Sequence, residues 1–339
     1  LEEGEFEQDD EALIPREEMV VTVSHGGYVK RVPLSAYRAQ RRGGKGRSAM
    51  ATRDEDFVDQ VLVGDTHTPV LFFSSHGMVY KLKVHRLPSG TPNARGKHFV
   101  NVLPLAEGET ISTCMPLPED ETRWDEMSVV FATAAGNVRR NRLSDFVNVK
   151  ANGKIAMKLD AGDDLVSARV CDEDSDVLLA TAGGKAVRFP ARDVRLFKGR
   201  ESTGVRGARL ASGDSVISMS TLGHVDVSQD EREAYLRHVA AHGRGEPDRA
   251  AGGELSPERV GELEAREELI LTVADDGMGK LTSAYEYRVT NRGGQGITTM
   301  DLGRDGGTRR VAAAFPVRLG DQLMVVTDGG QGIRCPVSG

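Results

Sequence analysis

The residues best suited to chemistry lie in one short run, Gln40-Arg41-Arg42-Gly43-Gly44-Lys45-Gly46, followed directly by Arg47. Three glycines let a backbone approach a phosphate with no Cβ in the way. The cations neutralise phosphate charge, and a glutamine amide can hydrogen-bond to phosphate or sugar. The chemistry on offer is non-covalent capture of a polyanion, gripping a backbone and reading no base. Composition alone fits a flexible basic loop equally well. Related runs weigh against that blander reading. Arg95-Gly96-Lys97, Asn152-Gly153-Lys154, Gly204-Val205-Arg206 and Arg292-Gly293-Gly294 carry the same residue types, and paired bases recur upstream of them: Lys30 and Arg31, Lys81 and Lys83, Arg139 and Arg140, Lys185 and Arg188.

Patterns for covalent or metal chemistry fail. Gly279-Lys280 is followed by Leu281, and Ala274 stands where a phosphate-binding P-loop needs its first glycine. His238 and His242 are spaced i,i+4, but no glutamate follows His238, so a solvent-facing helix is the simpler reading. Asp172, Glu173, Asp174 and Asp176 lack the central glycine and distal glutamate of a calcium loop and read as a solvated connection. Cys114, Cys171 and Cys335 are far apart, which argues against a zinc or disulfide framework and for a reducing cytoplasm. Trp124 reads as packing rather than ligand stacking. No catalytic site, metal site or cofactor is expected in this chain.

The elements that would position these cations repeat along the chain. Segments 20–31, 70–82, 129–140, 177–189 and 269–281 share a β-rich run, a glycine turn and a basic run, and a sixth begins at 323. The turn glycines, Gly27, Gly77, Gly136, Gly184, Gly277 and Gly330, are separated by 50, 59, 48, 93 and 53 residues. A second glycine mark follows in each complete repeat, at Gly44, Gly96, Gly153, Gly204 and Gly294. Alternation at 78–85 sets Met78, Tyr80, Leu82 and Val84 on one sheet face and Val79, Lys81, Lys83 and His85 on the other. Units of this length with several short strands predict a radial β array. Two helices are expected near 229–241 and 257–268, the second opened by a Ser cap and Pro257. They form an insertion, 226–268, whose blandest role is surface decoration.

Charge first points the wrong way. The 339 residues hold 44 Lys+Arg and 51 Asp+Glu, a formal net charge of −7 that argues against nucleic acid. Yet segment 1–18 carries −8 and the insertion −6, so the remaining body is +7. From 19 to 53 there are eight bases and no acid. Nine acids ahead of the first strand suggest a competitor for the same cations. No apolar run approaches the ~20 residues of a membrane span, and the acidic N-terminal segment has no apolar core of a signal peptide.

At all seven positions, Gln40 to Gly46 matches the motif Q-[RK]-R-G-G-[RK]-G, the gyrase A-box. With its repeats and its lead-in ALIPREEMVVTVSHGGYVKR, the chain resembles the C-terminal DNA-wrapping domains of DNA gyrase A proteins, over nearly its whole length apart from 226–268. The resemblance implies an all-β fold, a six-bladed β-pinwheel of antiparallel four-stranded blades with strands exchanged between them. Segment 1–18 would be an acidic linker from the cleavage core and 19–339 the wrapping domain. Its blades would lie roughly at 19–66, 67–124, 125–174, 175–225, 269–320 and 321–339, the last partial and the fifth carrying the helical insertion. Double-stranded DNA would wrap the outer edge in the positive sense, held by Gln40–Gly46 and by rim cations Lys30, Arg31, Arg47, Lys81, Lys83, Arg95, Lys97, Arg139, Arg140, Lys154, Lys185, Arg188, Arg206 and Arg292. The type IIA topoisomerase so formed would pair two gyrase A proteins with two gyrase B proteins. It would bind ATP and Mg outside this chain and introduce negative supercoils in the cytoplasm, at the nucleoid. This domain alone would be monomeric. Alternatives are the related topoisomerase IV domain, against which the complete box argues, a propeller scaffold for acidic protein partners, and a propeller enzyme, for which no convergent acid, base or nucleophile is found.

Overall fold

The computed structural model describes residues 11–37, 56–199, 202–244, 254–303, 309–326 and 332–337. Among the described residues the fold is all-β apart from short 3-10 turns, the helical Glu11 and Ala12, and two helices in the insertion. Each repeated run forms an antiparallel hairpin. In the first, Gly27 N donates to Ser24 O at 2.9 Å, and the Ser24 hydroxyl accepts from Tyr28 N at 3.1 Å. Ser74, Thr133 and Thr181 lock the next three hairpins in the same way, accepting from Met78, Asn137 and Lys185 at 3.2 Å each. Gly27 sits at φ 81°, in the left-handed region that a β-branched residue avoids.

The chain divides into two compact units. The first comprises Leu1–Glu126, Arg142–Ala156 and Met324–Arg334. It holds a sheet of Glu18–Ser24, Tyr28–Pro33 and Val58–Asp65, and a second of Pro69–Ser74, Met78–Lys83 and Ile111–Pro116. Val21, Val29, Val70, Phe72, Tyr80 and Phe99 form its core. The second unit comprises Met127–Asn141, Met157–Leu323 and Cys335–Gly339. Its sheets are built on Ser128–Thr133, Asn137–Arg142 and Leu165–Cys171, then on Ser175–Thr181, Lys185–Pro190 and Val216–Gly223, then on Leu269–Ala274, Gly279–Ser283 and Val311–Val317. Val130, Val138, Val177, Leu179, Phe189 and Met219 fill its main core. Gln322–Val326 pairs with Gly332–Pro336 in a two-stranded hairpin.

Four sheets gain a short fourth strand from the repeat that follows. Lys97–His98 pairs with Tyr28–Val29, Lys154–Ile155 with Met78–Val79, Val205–Arg206 with Asn137–Val138, and Ile297–Thr298 with Lys185–Ala186. The second glycine mark exists for this exchange. A Cβ on Gly204, at φ 87°, would lie 2.3 Å from Val138 O. In the fifth repeat the residue doing this job is Gly296, whose Cβ would lie 2.4 Å from Ala186 O, and not the expected Gly294, whose nearest neighbour stands 3.9 Å away. The register set by Ile297–Thr298 explains the two-residue shift.

Gly204→Ala is therefore expected to cost about 3 kcal/mol, from backbone strain plus the overlap. Gly213→Ala is the control, since Gly213 also has positive φ (75°) but nothing within 4 Å of its Cβ position; about 1 kcal/mol is expected there. Denaturant titration separates the two, and equal losses would show that φ alone matters.

The insertion forms α1 (Gln229–His242) and α2 (Pro257–Ala265). Ser228 and Glu231 make a reciprocal capping box, and Ser256 caps α2 by accepting from Arg259 N at 3.2 Å. Tyr235, Val260 and Leu263 pack on Val225 and Tyr285 as a small core of their own. Trp124 is fully buried, its indole N–H donating to Pro118 O at 2.8 Å.

Candidate nucleic-acid interface

Gln40–Gly46 and Arg47 lie outside the described residues. The other candidate cations fall into two classes, and in the first the fold itself takes up the cation, with Lys30, Arg139, Arg140 and Arg188 buried. Counted from each turn glycine, the fourth residue onward is Arg31, Lys81, Arg140 or Arg188. Each reaches a main-chain carbonyl of the following repeat. Arg31 Nε donates to Leu87 O at 2.9 Å, Lys81 Nζ to Val147 O at 2.7 Å, Arg140 Nε to Val194 O at 2.8 Å and Arg188 Nη1 to Ala284 O at 2.9 Å. These four are clasps between successive repeats. Lys81 also pairs with Glu121, and its ammonium stands 5.0 Å from the centre of the Trp124 ring. Arg140 pairs with Glu173 at 2.9 Å.

The residue before the clasp is also taken up by the fold. Lys30 is fully buried, and its ammonium donates to Thr91 O at 3.0 Å and Pro92 O at 2.6 Å. Burial lowers its pKa. Arg139 is likewise buried and donates to Asn141 Oδ1 at 2.8 Å and Ser202 O at 2.7 Å. Tyr80 holds the matching place in the second repeat, where burial and its bond to Glu109 push the hydroxyl up to about 12. Val79, assigned to a polar face, is fully buried, because that sheet is covered on both sides.

Asp176, read as part of a solvated loop, is also fully buried. It accepts from Arg188 Nε at 2.9 Å and lies 2.8 Å from His224 Nδ1. An uncompensated carboxylate could not stay there, so Asp176 and Arg188 require each other.

The second class sits on or beside the donated strands. Lys97, Lys185, Arg206 and Arg292 are exposed. Lys185 Nζ donates to Thr298 at 2.8 Å, and Arg292 donates to Asp193 O and Arg206 O, each at 3.2 Å. Arg95 lies over the Tyr28 ring at 3.6 Å, and His98 meets the same ring edge-on at 5.2 Å. Lys154 donates to Asp145 O and Asn148 O, and Lys83 is paired with Glu11. Arg192, Arg195, Lys198 and Arg209 are exposed on the segment that also bears Arg206, and the repeat pattern did not single them out. Their signal was the density of bases between 192 and 209. Among the described residues, no group of three or more His, Cys, Asp or Glu is placed to hold a metal ion, and no helix is long and apolar enough to cross a membrane.

The arrangement offers dispersed positive charge beside glycine turns. A family model described as the DNA gyrase C-terminal domain, beta-propeller, matches the chain at 18–65, 68–118, 128–172, 175–222, 268–311 and 321–339. The chain belongs to that family. The DNA gyrase A subunit of Rickettsia bellii (strain RML369-C) is 51% identical over 341 residues, which cover 99% of this chain and 38% of the relative. That of Escherichia coli (strain K12) is 38% identical, covering 97% of this chain and 32% of its own length. The chain thus spans well under half of these curated relatives. A solved DNA gyrase A C-terminal domain superposes with a TM-score of 0.63 at 23% identity, covering 95% of this chain and 90% of that one. The C-terminal domain of a DNA topoisomerase IV gives 0.69 at 20%, covering 96% and 85%. Both share the fold of this gyrase-family chain. Helices α1 and α2 fall between its fourth and fifth matched segments.

Proposed function

We propose that this chain binds duplex DNA through its exposed cations and glycine turns, without sequence selectivity, and wraps it. It would do so as the C-terminal part of a gyrase A protein. The cleavage core and the gyrase B protein would then use ATP, bound elsewhere with Mg, to convert the wrap into negative supercoils. The observation that carries this reading is the complete glycine–cation segment Gln40–Gly46 in a chain of the gyrase C-terminal family. Bending a 20–30 bp site costs about 1–6 kcal/mol, so the hold must be spread over many phosphates. Lys97, Arg206, Arg209 and Arg292 add to Gln40–Gly46 in this role, whereas Lys30, Arg31, Arg139, Arg140 and Arg188 act by holding repeats together.

Binding to linear mixed-sequence duplex should weaken steeply with salt. Six to ten phosphate contacts predict a loss of about 10³–10⁵ in affinity between 50 and 200 mM salt. Relaxed closed circles treated with a nicking-closing enzyme in the presence of the chain should trap positive writhe. Sequence-selective, salt-insensitive binding with no change of linking number would overturn the reading.

A further inference from the structure

The lead-in is strapped onto the first unit by a set of specific contacts. The Glu11 carboxylate pairs with the Lys83 ammonium, and Glu11 O lies 3.3 Å from His67 Nε2. Pro15 O accepts from the Thr66 hydroxyl at 2.9 Å, and Thr66 N donates to Glu17 O at 3.0 Å. Arg16 forks onto Glu119 at 2.7 and 2.8 Å and reaches Asp65 at 3.3 Å. Glu11, Ala12, Ile14, Arg16, His67 and Lys83 line an open cleft of about 520 Å³. Burial pushes the Glu11 carboxyl up, yet Lys83, with His85 and His67 nearby, leaves it below the ordinary carboxylate value.

The charge-assisted contact this carboxylate makes to the Lys83 ammonium is of the same kind as an anionic phosphodiester oxygen makes. Lys83 ends the strand Met78–Lys83, and exposed Arg86 follows it. We propose that this cleft is a phosphate site of the wrapped duplex, its Lys83 ammonium taken up by the chain's own Glu11, so that DNA backbone and lead-in exclude each other at Lys83. Duplex arriving there frees segment 11–17, and the lead-in in turn lowers affinity for duplex. The tether keeps the competing carboxylate at high effective concentration, and Glu2, Glu3, Glu5, Glu7, Asp9 and Asp10 precede it. The proposal rests on the reading of the chain as a DNA binder.

The test uses the 339-residue chain, short mixed-sequence duplex at low salt, and hydrogen exchange at the Thr66 amide. Glu11→Gln should tighten duplex binding about 5-fold or more, since the competent state is no longer taxed. Glu18→Gln, an exposed acid of the same charge nearby, should change it far less. In a Lys83→Ala background Glu11→Gln should have no effect. Saturating duplex should expose the Thr66 amide, and inorganic phosphate at millimolar concentration should not. Equal shifts for Glu11→Gln and Glu18→Gln, or a Thr66 amide that stays protected with duplex bound, would overturn the proposal and leave DNA binding standing. A chain that binds no duplex in any variant would overturn the reading beneath it.

Discussion

In the full-length enzyme, alanine at Arg41, Arg42 and Lys45 together is expected to abolish ATP-dependent negative supercoiling while relaxation and decatenation persist. Three cations leave a run that contains no acid between 19 and 53. Each lost phosphate contact lowers the salt slope of binding by about 0.9, so the triple variant should lose nearly three from that slope. On the proposed function, supercoiling would need the wrap to fix the direction of strand passage, whereas relaxation would need only cleavage and passage. The chain covers 38% or less of its curated relatives, so the cleavage chemistry would reside in the remainder. Agarose-gel topology assays on the holoenzyme read both activities at once. If all activities vanish together, the segment serves folding and not the wrap.

Arg188→Ala is expected to destabilise the second unit by about 3–5 kcal/mol, the usual result of stranding a buried charge. The guanidinium is 4% exposed and its partner Asp176 is fully buried. Three carbonyl or carboxylate acceptors lose their donor together: Asp176, Ala284 O at 2.9 Å and Gly223 O at 3.3 Å. Arg31→Ala removes the matching clasp from the first unit, where no buried carboxylate partner of Arg31 is left behind among the described residues; about 1–2 kcal/mol is expected. Adding Asp176→Asn to Arg188→Ala should recover part of the loss, because the amide carries no charge to strand. Denaturant midpoints for these variants check this. A loss for Arg188→Ala no larger than for Arg31→Ala would mean that water reaches Asp176.

The hairpins were legible because they are local: a Val-rich run, a turn glycine and a following strand all lie within a dozen residues, as at 129–140. The second helix was legible for the same reason, from Ser256-Pro257, although α2 stops at Ala265 rather than at 268. The role of each cation was not. Lys30 and Lys97 are alike in composition, but one is buried against Thr91 and Pro92 carbonyls and the other is exposed. What separates them is a neighbour about sixty residues away, and charge patterning carries no such information. Gly294 and Gly296 differ for the same reason, since only the approach to Ala186 O distinguishes them. The strand exchange was accessible through family resemblance alone, because two-residue strands such as Lys154–Ile155 leave no periodicity to detect.

The loaned strands also impose an order of assembly. A sheet that borrows its outer strand from the next repeat cannot be completed until that repeat has been synthesised. On a ribosome the first sheet would wait for Lys97–His98, the second for Lys154–Ile155 and the third for Val205–Arg206. The fourth waits longest: its hairpin ends at Pro190, and Ile297–Thr298 arrives only after both insertion helices have emerged. During that interval Lys185–Pro190 presents an open strand edge, the kind of surface that recruits wrong partners. The clasp of Arg188 on Ala284 O forms just before the missing strand appears. The insertion thus lengthens the time for which nascent chains are vulnerable at one defined place.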